Sequence, residues 1–384
     1  MFDREVINRF QAYATPFYYY DMSLLRETLS KLKCAADKYG YTVHYAVKAN
    51  ANTRILSEIS SYGFGADCVS GNEVVRALEC GFPASKIVFA GVGKSDEEIT
   101  TALKNDIFCF NAESLQELEV IDKIAGTMGK VADVALRLNP GIDAHTNKCI
   151  NTGLADSKFG IDFNKLDEAV TFVQKLSNTK LVGLHFHIGS QILDLEPYRL
   201  LCNRSNEMQG KLGYMGLELP EINLGGGLGV NYEDPDSQMI PDFERLMDTI
   251  HANLKVKDGQ RVHFEFGRAV VAQCGTMVSR VLYIKPATQT NFAIVDAGFT
   301  DLIRPALYGA RHLIENLTPH RSECETYDVV GPICESTDVF ASGIPLPKTT
   351  RGDLLAFRTA GAYGEIMASQ YNLRNLPNVY YSDN

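Results

Sequence analysis

Side chains able to do covalent and proton-transfer chemistry stand at the ends of apolar runs along this chain. Lys48 closes Tyr45-Ala46-Val47-Lys48-Ala49-Asn50, and Asp67 closes the run that begins at Gly65. Arg137 and Asn139 end another run. His187 and Ser190 lie in His185-Phe186-His187-Ile188-Gly189-Ser190, and Glu265 begins Glu265-Phe266-Gly267-Arg268. A lysine at a strand end is ordinarily a solvated surface residue. Lys48 is set among apolar and small neighbours, where desolvation lowers an amine's pKa and lets it condense with an aldehyde as a Schiff base. Glu265 suits the partner of a pyridine nitrogen. A carboxylate there keeps the ring protonated, and the ring then draws off the electron pair left when a bond to Cα breaks. Such a strong partner favours decarboxylation over racemisation. The plainer reading of Glu265 is a surface salt bridge with Arg268.

His185 and His187 are two residues apart and share one face of a strand. A metal pair would need further ligands on other strands, and the strand ends offer no obvious set, so no metal is expected. His185 reads as a buried, hydrogen-bonded histidine, and His187 as a ring stacked on an aromatic cofactor. Gly225-Gly226-Gly227-Leu228-Gly229 leaves bare backbone N–H groups that can approach an anion closely. A flexible loop is the simpler account of those glycines taken alone.

Strand-length apolar runs that could position these groups occur near Thr42–Val47, Gly65–Val69, Ile87–Ala90, Ile107–Phe110, Val131–Leu138, Leu181–His187, Glu221–Leu224 and Arg261–Phe266. Amphipathic segments such as Asn72–Cys80, Ala112–Ala125, Lys165–Leu176 and Pro241–Leu254 lie between them. This alternation predicts an α/β chain with a parallel sheet, closed as a (β/α)8 TIM-type barrel. The chemistry then collects at the C-terminal rim, with the glycines after the seventh strand in the usual barrel phosphate position. An open doubly wound sheet is the rival, but no G-x-G-x-x-G follows the first strand. After Arg268 the runs become short and β-rich, at Met277–Ile284, Phe292–Asp296, Tyr327–Val330 and Leu354–Arg358. We read residues 22–266 as the barrel and 267–384 as a mostly β domain, with 1–21 adding a strand to it.

The chain has 384 residues, 45% of them hydrophobic, and a formal net charge of -10. An acidic surface repels phosphate backbones and anionic lipid heads, so neither nucleic acid nor a membrane is an expected partner. No apolar run approaches the ~18 residues that span a bilayer, and Met1-Phe2-Asp3-Arg4-Glu5 does not resemble a secretory signal. Nine scattered cysteines without a C-x-x-C pair favour reduced thiols and a cytoplasmic location.

Nine motifs, in order and across both regions, carry a resemblance: YAVKAN at 45–50, RLNPG at 137–141, SKFGI at 157–161, HFHIGSQI at 185–192, GGGLG at 225–229, EFGR at 265–268, RPALYG at 304–309, GPICESTD at 331–338 and AGAYG at 360–364. Together they resemble the diaminopimelate decarboxylase family, in the alanine-racemase-like (fold type III) group of pyridoxal-phosphate enzymes, along nearly the full chain. The resemblance implies decarboxylation of meso-2,6-diaminopimelate to L-lysine and carbon dioxide, the last step of lysine biosynthesis. It implies that Lys48 bonds pyridoxal 5'-phosphate, that His187 stacks on its ring and that Glu265 pairs with its nitrogen. Asp67, Ser190, Gly225, Gly226, Gly227, Gly267, Arg268 and Tyr363 complete the cofactor set. Arg268, Arg304, Tyr308 and Tyr363 would bind the substrate, Glu335 would accept its distal ammonium, and Cys334 would return a proton to Cα. In the family Cys334 and Glu335 serve the partner subunit's site, which implies a homodimer. The family's usual proline between glutamate and glycine is Phe266 here, which puts the local turn in question.

The nearest rivals are decarboxylases of the same fold acting on ornithine, arginine or carboxynorspermidine. Arg304 and Cys334-Glu335-Ser336 argue against them, since a buried cation unmatched by substrate would oppose ornithine. A non-catalytic protein carrying the same cofactor would lack Lys48, Cys334 or the second domain. A metal-dependent barrel hydrolase is a third rival. Asp143–Lys158 is a candidate lid.

Overall fold

The computed structural model describes residues 2–142, 158–288, 290–320 and 322–383. Eight parallel strands close into a barrel: β1 Thr42–Ala46, β2 Gly65–Cys68, β3 Ile87–Phe89, β4 Cys109–Ala112, β5 Ala132–Asn139, β6 Thr179–His185, β7 Glu221–Asn223 and β8 Arg261–Phe266. Each pairs with the next, and β8 returns to β1 with Glu265 opposite His44 and Phe266 opposite Tyr45. The observed strands lie within two residues of the apolar runs. Every residue of β2, β3 and β4 is buried, as expected of a parallel sheet covered on both faces. The candidate lid falls almost wholly outside the described residues.

Three of the barrel's helices start from the same local chemistry, Ser-x-x-Glu. Ser70, Ser95 and Ser114 each accept the backbone N–H three residues on, capping Gly71–Glu79, Asp96–Lys104 and Leu115–Thr127. Glu98 completes the box on Ser95. Glu73 and Glu117 reach one residue further back, accepting from the N–H of Val69 and of Glu113. Each such cap satisfies donors that the first turn leaves over and is worth about 1 kcal/mol. They stop the chain sharply after β2, β3 and β4, which sets the rim on that side.

The interior near the start of the strands is polar. His44 Nε2 lies 3.0 Å from His263 Nδ1, and His263 Nε2 lies 2.7 Å from Glu221, which also takes Arg261. His44 Nδ1 faces the Lys86 carbonyl at 3.0 Å. Gly65 must be glycine, because a Cβ there would overlap both that carbonyl and the His44 ring. Burial, and then the neighbouring His263, lower the His44 pKa to about 3 from 6.5. The folded value lies below the unfolded one, so this stabilising contribution is intact above about pH 6.5 and is lost as pH falls toward the folded pKa. Melting temperature should therefore drop on acidification from about pH 7.5 to about pH 5, and His44→Phe should lower it at pH 7.5 while flattening the slope. A His44→Phe slope as steep as the parent's would assign the acid sensitivity elsewhere.

The chain divides into two units. One is Thr28–Gly229 with Pro241–Ala269, which contains the barrel; the other is Met1–Glu27, Val230–Ile240 and Val270–Asn384. Val230–Ile240 lies inside the span that sequence alone assigned to the barrel. Its side chains explain the grouping: Asp236 pairs with Arg358 at 2.7 Å, and the Arg304 guanidinium lies 4.6 Å from the Tyr232 ring centroid. The second unit is a sheet in the order Ile314–Asn316, Leu354–Phe357, Gly275–Pro286, Asn291–Val295, Cys324–Val330, Val339–Pro347. Phe17–Tyr20 pairs antiparallel with Gly275–Pro286 and parallel with Asn378–Tyr381. No helix among the described residues is long and apolar enough to cross a membrane.

Candidate active site

Lys48 sits just beyond β1, on a single 3-10 turn, Val47–Ala49, whose other two side chains are buried. The turn, rather than the strand itself, therefore aims the amine. Lys48 Nζ donates to Asp67 Oδ2 at 3.2 Å, with the lysine side chain 37% exposed and the aspartate fully buried. Gly267 packs against this turn, where a Cβ would stand 2.9 Å from Ala49 Cβ and 3.1 Å from Ala46 Cβ. Phe266, the residue in place of the expected proline, stays in β8. It is fully buried, stacks on Phe264 at 5.6 Å and meets Phe243 edge-on at 5.8 Å. The turn is thus held by aromatic packing.

Glu265, on the neighbouring strand β8, is braced by side chains from β4, β6 and β7. Its Oε1 accepts from Asn223 Nδ2 at 2.7 Å and from Asn111 Nδ2 at 3.2 Å, and His185 Nε2 lies 2.9 Å from Oε2. Burial alone would raise this carboxyl. His185, Lys48 and His187 more than offset it and hold Glu265 well below the usual carboxylate range. Asp67 behaves oppposite in sign: burial and the Glu265 charge push it up to about 6, with Lys48 only partly compensating. Two carboxylates close together thus differ in proton affinity, a pattern typical of sites that handle protons.

His187 lies beyond β6 as a part-exposed ring kept neutral by burial and by the Arg137 and Lys48 charges. The N–H of Gly226 faces its Nδ1 at 3.4 Å. Gly225 and Gly227 have φ of 69° and 103°, and a Cβ on Gly226 would overlap the Glu265 carbonyl. The three glycines therefore let the loop after β7 cross directly over the end of β8. Ser190 Oγ accepts from Arg268 Nη2 at 3.0 Å and from its Nε at 3.3 Å. Arg137 and Asn139 are buried at the end of β5, and Arg137 Nη1 donates to Glu113 at 2.9 Å.

Asp67 Oδ1 and His185 Nδ1 are buried without a hydrogen-bond partner. With the Lys48 amine, the ionised Glu265 and the glycine N–H groups, they form a donor and acceptor set that fits pyridoxal phosphate: an amine for its aldehyde, a carboxylate for its ring nitrogen, and small backbone for its phosphate. No group of three or more His, Cys, Asp or Glu among the described residues could hold a metal ion.

The other expected residues fall in the second unit. Arg304 and Tyr308 bound a one-turn helix ended by Gly309 at φ 62°. Cys334 and Glu335 are exposed on the loop 331–338, which Asp338 shapes by accepting from Ile333 N at 2.7 Å and Phe299 N at 2.6 Å. Glu335 accepts from the Tyr371 hydroxyl at 2.9 Å, and Cys334 N donates to Asn372 at 3.2 Å. Tyr363 has φ 56° in the turn after Leu354–Phe357. Sequence reading missed Asn111, Asn223, Tyr232 and His312; the first three act on partners distant in the chain, and His312, eight residues from Arg304, is oriented by the distant Arg358 carbonyl.

Residues 25–272 match the family model described as "Pyridoxal-dependent decarboxylase, pyridoxal binding domain". The chain is 55% identical over 378 residues to a diaminopimelate decarboxylase of Bacteroides thetaiotaomicron, covering 98% of each. It is 41% identical to the Helicobacter pylori enzyme of that name, over 97% of this chain and 91% of the relative. The crystal structure of diaminopimelate decarboxylase from Helicobacter pylori complexed with L-lysine superposes with a TM-score of 0.93 at 39% identity, over 99% of this chain and 94% of that one.

Proposed function

The chain belongs to the diaminopimelate decarboxylases, pyridoxal-phosphate enzymes that convert meso-2,6-diaminopimelate to L-lysine and carbon dioxide, and on that premise we propose the residues that do this work. When bound, pyridoxal phosphate supplies an aldehyde that captures the substrate's α-amine and a pyridinium that takes up the electron pair left by departing carbon dioxide. Lys48 would hold the cofactor through its amine. Glu265, kept ionised, would pair with the ring nitrogen and keep it protonated. His187 would stack on the ring. Ser190, Gly225, Gly226, Gly227, Gly267, Arg268 and Tyr363 would hold the phosphate. The observation that carries this reading is the braced, ionised Glu265 on the strand hydrogen-bonded to the one that presents Lys48. Borohydride reduction of the loaded protein followed by peptide mapping should label Lys48; a label on any other lysine overturns the assignment.

We assign Arg304, Arg268 and Tyr308 to the carboxylate that the substrate keeps, and Glu335 to the ammonium beside it. Cys334 donates the proton that replaces carbon dioxide on Cα. Arg304→Ala should raise KM about 100-fold or more, since a charge-assisted pair to a desolvated carboxylate is lost, while the cofactor spectrum is unchanged. Steady-state kinetics on meso-diaminopimelate measure this; an unaltered KM removes Arg304 from the clamp.

A homodimer goes with this assignment, in a cytoplasmic setting that suits free thiols. Leu373 is 96% exposed with φ 54°, directly after Asn372 at φ 55°. A leucine held in solvent by a strained backbone, with exposed Leu376, Ile366 and Tyr371 nearby in sequence, is what a second copy would cover.

A further inference from the structure

We propose that His312 is a positioning residue that, with Tyr232, fixes the Arg304 guanidinium for the substrate carboxylate. This rests on the reading of Arg304 as the clamp. His312 Nδ1 lies 2.8 Å from the Arg358 carbonyl oxygen. A carbonyl only accepts, so Nδ1 carries the hydrogen. His312 Nε2 lies 3.0 Å from Arg304 Nη1. A guanidinium only donates, so Nε2 presents its lone pair. The two contacts therefore select one neutral tautomer, and the arginine keeps its whole positive charge while one edge is pinned.

The remaining side of the holder is aromatic. Tyr232 faces the guanidinium, with Arg304 Cζ 4.6 Å from the ring centroid, and meets the His312 ring at 5.2 Å and 82°. Arg304 and His312 are 5% and 8% exposed. Arg358, whose carbonyl sets the tautomer, is itself anchored by Asp236 at 2.7 Å and Glu315 at 2.8 Å. A planar fork restrained at one edge and one face loses less freedom when a carboxylate arrives, so its affinity is set by this frame as well as by its charge.

His312→Phe keeps a ring but removes the acceptor, and His312→Gln returns an acceptor in its place. In His312→Phe, KM for meso-diaminopimelate should rise about tenfold or more, the size of a lost hydrogen bond to a charged group, with kcat within about threefold of the parent. Inhibition by L-lysine, which retains the clamped carboxylate, should weaken in parallel. Inhibition by cadaverine, which has no carboxylate, should not change. His312→Gln should restore most of the loss. Equal weakening toward lysine and cadaverine, a fall confined to kcat, or no rescue by glutamine overturns the inference. If Arg304→Ala leaves KM unaltered, the clamp assignment itself fails. If Arg304→Ala raises KM and His312→Phe does not, only the role of His312 fails.

Discussion

Lys48→Ala is expected to leave a folded barrel whose kcat/KM for meso-diaminopimelate is lower by at least about 10^3-fold, since the covalent anchor and its amine are removed together. The fold should survive because Val47 and Ala49, not Lys48, are buried in the turn. Its stability should change in a pH-dependent way. Asp67 is fully buried with a carboxyl pushed up to about 6, and Lys48 is one of the groups restraining that rise. A folded pKa above the unfolded one means that this stabilisation is complete at low pH and is lost as pH rises through the folded value. Without Lys48 the rise grows. The variant's melting temperature should then fall further below the parent's at about pH 8 than at about pH 5. Calorimetry at the two pH values and steady-state kinetics together separate the chemical role from a structural one. Turnover near the parent's would end the case for Lys48.

Glu265→Gln is expected to lower kcat by about 10^2 to 10^3-fold, comparable to losing one preorganised electrostatic contact at a reacting centre. Glutamine keeps the shape of the side chain and can still accept from Asn111 and Asn223, but it brings no negative charge to the ring nitrogen. It also places an amide against His185 Nε2, where the carboxylate accepts at 2.9 Å. Cofactor content, read from absorbance, should stay close to the parent's, because Lys48 and the glycine loop are untouched. KM should move little, since the far end of the substrate is held elsewhere. A kcat equal to the parent's would show that the charge of Glu265 plays no part in taking up the electron pair.

The barrel was legible in the sequence because its strands are buried on both faces. Uninterrupted apolar runs such as Ile87–Phe89 mark such strands plainly. Lys48 and Glu265 stood out for a related reason, as charges at the ends of runs that otherwise exclude them. The second unit was harder to read. Gly275–Pro286 runs for 12 residues with a register shift between Val281 and Tyr283, and its burial pattern changes along its length. The membership of Val230–Ile240 depends on partners such as Arg358 and Arg304, which lie far along the chain. The same holds for the groups that tune the site. Asn223 reads as an ordinary strand-end residue until Glu265 is seen 2.7 Å away, and His312 is one histidine among eight until its two ring nitrogens are traced to Arg304 and to a carbonyl.

The placement of Phe17–Tyr20 between Gly275–Pro286 and Asn378–Tyr381 bears on how the protein is made. The ribosome delivers this tyrosine-rich strand long before either neighbour exists; Met22 N must await the hydroxyl of Ser382, 360 residues later. Until Asn378–Tyr381 has been translated, an apolar edge stays open to wrong pairing. Disrupting Asn378–Tyr381 should for this reason harm the yield of native protein more than disrupting an equal length of surface loop.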